Sequence, residues 1–308
     1  MINDKLNLLE VSRDMLFDKY EEKNFYRFLK KFDRLNDVKW TEQAIGTAIQ
    51  QICWDLAIEK IKYCELKLSI SRYMKDLELP PAEVIKIIYD IISYEEVKWS
   101  STFSLVLCLK YESDRKEQLE IANVINDKAA VGMISGIDLV GDEAYFDAEF
   151  YRPIFEKYKE AGLGLEAHVG ESQSVINVQQ AIEVLHVDRI AHGIKAVDHP
   201  DILAMIKEHD ICMDIAISSN IYTGVVQSIA EHPVKRLFDY GVDIAIGTDD
   251  PIILNTSLNV EYNYLLQLGF TDSQIIKIMD NSIYHAFDKH VSVTSLRSQH
   301  TSGVSSVG

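Results

Sequence analysis

The stretch DRIAHGIKAVDHPDILAMIKEHDICMDIAISS, residues 188–219, holds a strand, a helix and a second strand in succession. DRIAHGI (188–194) and DICMDIAISS (210–219) are short and rich in apolar and β-branched residues. Between them, HPDILAMIKEH (199–209) opens on a proline and repeats its apolar residues at helical spacing. Strands that read as continuously apolar belong in a parallel sheet covered on both faces.

The same alternation extends outward in both directions. Further strand-like runs are IKYCELKLS (61–69), FSLVLCL (103–109), VGMISGIDLVG (131–141), LGLEAHVGE (163–171) and VDIAIGTDD (242–250). The segments between them, such as EQLEIANVINDK, RPIFEKYKEAG, VINVQQAIEVL and VKRLFDYG, have helical periodicity. Seven β/α units without a composition break predict one α/β domain over residues 1–290. An open doubly wound sheet and a closed eight-stranded barrel both satisfy this pattern. No GxGxxG or GxxxxGK[ST] stretch is present, which weakens dinucleotide and P-loop readings. The first sixty residues read mainly as helices, at 5–20, at FYRFLKKF (25–32) and at EQAIGTAIQQICWDLAIEKI (42–61). The tail VSVTSLRSQHTSGVSSVG (291–308) has no helical period and is expected to be disordered.

Bulk properties exclude several functions. The chain has 308 residues, 47% of them hydrophobic, with 48 acids against 31 Lys and Arg and a formal net charge of −17. Such a field repels phosphate backbones and anionic lipid, so neither nucleic acid nor a membrane surface is an expected partner. Cys53, Cys64, Cys108 and Cys212 form no CxxC pair, and three lie inside apolar runs, as free core thiols in a reducing compartment do. The N-terminus carries no signal-peptide apolar region and no apolar run reaches spanning length, so the expected location is the cytoplasm.

Chemistry in a parallel α/β fold gathers where the strands end. Five consecutive runs here end in polar residues: Asp138 to Glu143 with Gly141 between them, His168 with Glu171, His192, Ser218-Ser219-Asn220, and Asp249 with Asp250. Each has a bland explanation; His168 could be a satisfied core histidine, and the Asp249-Asp250 pair a solvated turn before Pro251. Five such coincidences at one edge favour a shared site. A neutral imidazole and a carboxylate are zinc ligands, and bound metal brings a water close to ionisation at neutral pH. His168 and Asp249 suit that ligand role. Glu171, His192 and Asp250 suit proton handling.

The segments GIDLVGDE, HVGE, RIAHG, SSNIYTG and GTDDP stand in the order and approximate spacing of the adenosine deaminase family of metal-dependent amidohydrolases, which the chain resembles from about Phe28 to residue 287. The resemblance implies an α/β fold of the (β/α)8 TIM-barrel type. It implies a hydrolase of purine metabolism that attacks C6 of an adenine nucleoside or nucleotide with metal-activated water and releases ammonia. His168 and Asp249 correspond to metal ligands, with Zn2+ or another divalent ion as cofactor. Glu171 corresponds to the acid that protonates ring N1, and His192 to the histidine beside the attacking hydroxide. Asp250 corresponds to the aspartate that orients the hydroxide and contacts the purine, and Gly141 to the backbone donor on the purine's other side. Val169, where the family has a smaller residue, is expected to narrow the pocket.

One departure stands out. The family carries a His-x-His pair on its first barrel strand, and here no such pair exists: the nine histidines begin at His168. His285 and His290 (HAFDKH) follow the last strand and are not nominated in their place. The first strand therefore looks missing from this chain. Two open sheet edges predict a homo-oligomer or a partner chain that supplies the strand. The alternative function is a catalytically impaired barrel that binds purine nucleosides or partner chains as a regulatory or structural subunit.

Overall fold

A computed structural model describes residues 24–33, 38–289 and 291. The helix expected at 5–20 and the tail from 292 onward lie outside the described residues. Seven parallel strands run in sequence order: β1 (Tyr63–Leu68), β2 (Thr102–Lys110), β3 (Gly136–Val140), β4 (Gly164–Val169), β5 (Arg189–His192), β6 (Cys212–Ile215) and β7 (Asp243–Ile246). Among the described residues β1 pairs only with β2, and β7 only with β6. Most positions of β2 to β5 are buried, as expected of a sheet covered on both faces.

Helices return the chain between strands, and their ends follow from local chemistry. The helix Ala148–Glu160 begins where Asp147 accepts from Phe150 N. Pro81 opens Pro81–Trp99 and Pro200 opens Pro200–Glu208, positions where a missing N–H costs nothing. The expected helices near 25 and 42 form as Phe25–Asp33 and Glu42–Ile58. No helix among the described residues is long and apolar enough to cross a membrane. All four cysteines are free, three of them buried.

The sheet is curled into the barrel-type α/β fold, and charged side chains reach across its interior. Lys67 on β1 brings its ammonium 3.3 Å from Asp138 on β3, 2.9 Å from Glu166 on β4 and 3.0 Å from Asp214 on β6. Arg189 on β5 pairs with Glu166 at 2.7 Å and Glu65 at 2.6 Å, and its guanidinium stacks 3.7 Å from the Phe287 ring centroid. Phe287 closes the end of the interior at which the strands begin, where only Gly136 and Gly164 leave room for its ring. Two sequence expectations change here. The run 210–219 is not one strand, because β6 stops at Ile215 and Ser218 to Asn220 lie in the helix Ile217–Tyr222. Val169 does not narrow a pocket: it is fully buried in the core, since alternation sends Glu166 and His168 inward and Val169 to the other face.

Candidate active site

The loops that follow the carboxyl ends of β3 to β7 converge. His168, near the end of β4, turns inward and its Nδ1 meets Asp138 Oδ1 at 3.0 Å. Burial disfavours charge on Asp138, but His168 and Lys67 outweigh it and hold the carboxyl below its usual range. Nδ1 is therefore the donor, which leaves Nε2 for the pocket. Burial likewise opposes charge on His168, and the Asp138 carboxylate overcomes it, raising the imidazole to about 9. Tyr111 OH fixes the backbone here by donating to the His168 carbonyl at 2.8 Å.

Glu171 and His192 form one hydrogen-bonded unit. Asn220 Nδ2 donates to Glu171 Oε1 at 3.1 Å and lies 3.1 Å from His192 Nδ1. Thr223 Oγ1 adds a second donor to Glu171 Oε1 at 3.2 Å, while His192 Nε2 stands 3.6 Å from Oε2. His168 and His192 rings lie edge to face with centroids 5.2 Å apart. His232 Nε2 is 3.1 Å from Asn220 Oδ1.

The loop bearing Glu171 is held by Glu143. Its carboxylate accepts from the backbone N–H groups of Gly170, Glu171, Ser172 and Gln173 at 2.6, 3.2, 3.0 and 3.0 Å, and from Asn177 Nδ2 at 3.0 Å. Gly141, two residues before Glu143, has φ +98°, and a Cβ there would lie 2.2 Å from the Glu112 carboxylate. Both the turn and the close approach demand glycine.

Asp249 and Asp250 follow β7. Ser219 donates to Asp249 Oδ2 at 2.6 Å. Burial, the adjacent Asp249 charge and a hydrogen bond between the two carboxyls push Asp250 well above the carboxylate range, and the His168 charge pulls the other way. Asp249 and His192 both hold left-handed backbone, at φ 53° and 63°. For non-glycine residues that strain costs about 1–3 kcal/mol each and persists where surrounding contacts impose it.

One feature favours a cation in this centre. His168 presents Nε2 with Nδ1 braced by a carboxylate, the arrangement common among metal-binding histidines. Among the described residues the interior acids Glu65, Asp138, Glu166 and Asp214 are faced by Lys67, Arg189 and His168, and Asp138 Oδ2 lies 3.3 Å from the Lys67 ammonium, so the interior charge by itself does not call for a further cation. Ligand number tells against a complete site. A catalytic zinc takes three protein ligands. Among the described residues, the one group of three metal-capable side chains with ligand atoms within 4.8 Å is Asp210, Asp243 and His285. That group lies where β6 and β7 begin, at the opposite end of the strands, and Asn281 and Lys277 also contact Asp243. Among the described residues no group of three metal-capable side chains forms around His168 or Asp249.

The structure places every residue nominated from the sequence on the loops or strand ends of this one rim. It adds Asn220, Thr223, His232, Ser219, Glu143 and Tyr111. Of these, Ser219, Asn220 and Glu143 had a sequence signal as polar residues at run ends and Thr223 lies in the SSNIYTG segment, whereas His232 and Tyr111 had none.

A curled parallel α/β sheet with acids and histidines at its carboxyl rim defines a barrel-type α/β protein with a polar site at its strand ends. The family profile described as Adenosine deaminase matches residues 7–299, and the chain belongs to that family. An adenosine deaminase of Clostridium kluyveri is 27% identical over 278 residues, covering 90% of this chain and 79% of the relative. Three solved structures share the fold at low identity. An adenine deaminase from Arthrobacter aurescens has a TM-score of 0.83 at 20% identity, over 96% of this chain and 88% of its own. Arabidopsis ADAL complexed with IMP has 0.82 at 20%, over 94% and 86%. An amidohydrolase from Burkholderia ambifaria with bound Zn has 0.79 at 21%, over 89% and 76%.

Proposed function

We propose that the chain is a hydrolase that removes the 6-amino group of an adenine nucleoside or nucleotide. One observation carries this reading: Glu171 is buried with Oε1 occupied by Asn220 and Thr223, so Oε2 is the oxygen left to meet a substrate. An acid that gives its proton to purine N1 draws electron density from C6 as water attacks there. One proton of the water passes to N6, the C6–N6 bond breaks and ammonia leaves; the other, left on the new C6 oxygen, returns to the acid, so the 6-oxo product keeps its proton on N1. In this reading His192 and Asp250 hold the attacking water and the Gly141 N–H meets the other edge of the purine.

His168 and Asp249 would hold a divalent metal, zinc being the ion present in one structural neighbour, and such an ion lowers the pKa of its water. With two protein ligands where three are usual, affinity from this chain alone is low, so zinc must be supplied in excess. One structural neighbour is an adenine deaminase, another is complexed with IMP, and the sequence relative is an adenosine deaminase, so the test panel is adenosine, deoxyadenosine, adenine and AMP. Ammonia release that disappears in Glu171→Gln with unchanged folding supports the enzyme.

The incomplete ligand set favours a second reading, a purine-binding subunit without turnover. It predicts saturable adenosine binding by calorimetry, no ammonia from any of the four compounds with zinc present, and no retained metal. We infer further that residues 1–290 act as a single domain.

A further inference from the structure

We propose that His232 is a positioning residue that, through Asn220, fixes His192 with its proton on Nε2 and holds Glu171 with Oε2 free. His192 then enters the reaction as a donor to the water oxygen and not as the base that takes its proton. This rests on the deaminase reading of the site, in which His192 and Glu171 meet water and purine.

The direction of each hydrogen bond follows from one end of the chain. Val234 N–H lies 3.2 Å from His232 Nδ1, and a backbone amide can only donate. Nδ1 of His232 is therefore bare and its proton sits on Nε2, which donates to Asn220 Oδ1. With Oδ1 accepting, Nδ2 holds the two protons of the amide and spends one on Glu171 Oε1 and one on His192 Nδ1. Nδ1 of His192 is thus an acceptor, and the ring proton faces Glu171 Oε2 and the pocket from Nε2. Turning the Asn220 amide over would set its oxygen against the Glu171 carboxylate and its NH2 against the protonated Nε2 of His232. Both bonds would be lost where water cannot replace them, since Asn220, His232, His192 and Glu171 are all buried. Burial chiefly, with a smaller electrostatic effect of the nearby His192 ring, lowers His232 to about 4, so it stays neutral and the direction of the chain does not reverse near neutral pH.

The test uses the full chain labelled with 15N-histidine. The wild-type protein should show His192 with a protonated Nε2 and a bare Nδ1, and this needs neither turnover nor a variant. His232→Leu should yield a mixture of His192 tautomers. It should also lower kcat on the preferred compound of the panel roughly 10–100-fold, the usual effect of losing a group that orients a site residue. KM should stay within about three-fold, because the lost bond acts on the transition state. His232→Gln, which keeps a donor toward Asn220, should restore both the tautomer and most of kcat. A wild-type His192 protonated on Nδ1, or a His232→Leu protein that keeps the single Nε2–H form, overturns the proposal whatever the activity. Absence of wild-type turnover on the whole panel overturns the deaminase reading instead and leaves the tautomer result to decide this one.

Discussion

Replacing Glu143 measures how far the Glu171 loop depends on one side chain from the neighbouring β/α unit. Four backbone N–H groups and the Asn177 amide converge on this carboxylate. Gly170 and Glu171 are buried, whereas Ser172 and Gln173 are partly open to water and can rebind it. In Glu143→Ala two buried donors are stranded at about 1–3 kcal/mol each, so the expected loss is about 4 kcal/mol. Glu143→Gln keeps one oxygen, best placed where Oε2 meets three N–H groups. Its NH2 then opposes the Gly170 N–H and Asn177, a loss of about 2 kcal/mol. Urea unfolding gives both numbers, and amide hydrogen exchange should show Gly170 to Gln173 losing protection before the core strands do. Deaminase turnover should fall with the loop's order. Glu143→Ala within about 0.5 kcal/mol of wild type, with exchange at 170–173 unchanged, would refute the clamp, since that lies within ordinary surface effects.

Three further perturbations probe the frame around the site. His232 is lowered to about 4 from its ordinary 6.5, so it is neutral when folded while the unfolded chain takes up a proton first. Its contribution is complete above pH 6.5 and lost as pH falls toward 4. Wild type should lose about 3 kcal/mol relative to His232→Gln across that window, measured by urea midpoints at each pH; equal losses in the two proteins would contradict the assignment. Lys67→Met strands Asp138, Glu166 and Asp214 and should cost about 3–5 kcal/mol in the same assay, whereas a loss below about 1 would mean the carboxylates are otherwise compensated. Phe287→Ala should cost about 3–5 kcal/mol. Gly164→Ala puts a methyl 2.0 Å from that ring, so its own cost should largely vanish in the Phe287→Ala background, and simple additivity would show the two do not touch.

The rim was legible because strand ends are legible. His168, Glu171, His192, Asp249 and Asp250 each follow an apolar run, and buried runs announce themselves by composition. What braces them was not legible, since the partners lie far away in sequence. Glu143 acts on the next β/α unit, His232 acts through Asn220, and helix Ile217–Tyr222 cuts the 210–219 run short where Ser218 N donates to Glu261, 43 residues on. The ambiguity between open sheet and barrel was different in kind, because residues able to resolve it were in view. Lys67, Asp138, Glu166 and Asp214 are charges within otherwise apolar strands, and a charge buried there needs a partner. In a flat sheet with strands about 4.8 Å apart, residues on β1 and β6 would be about 24 Å distant, too far to neutralise one another. Lys67 meets Asp214 at 3.0 Å, which only a sheet curled around its own interior allows. Charges of opposite sign on strands five places apart are therefore an argument for curvature in their own right, independent of any likeness to a known family.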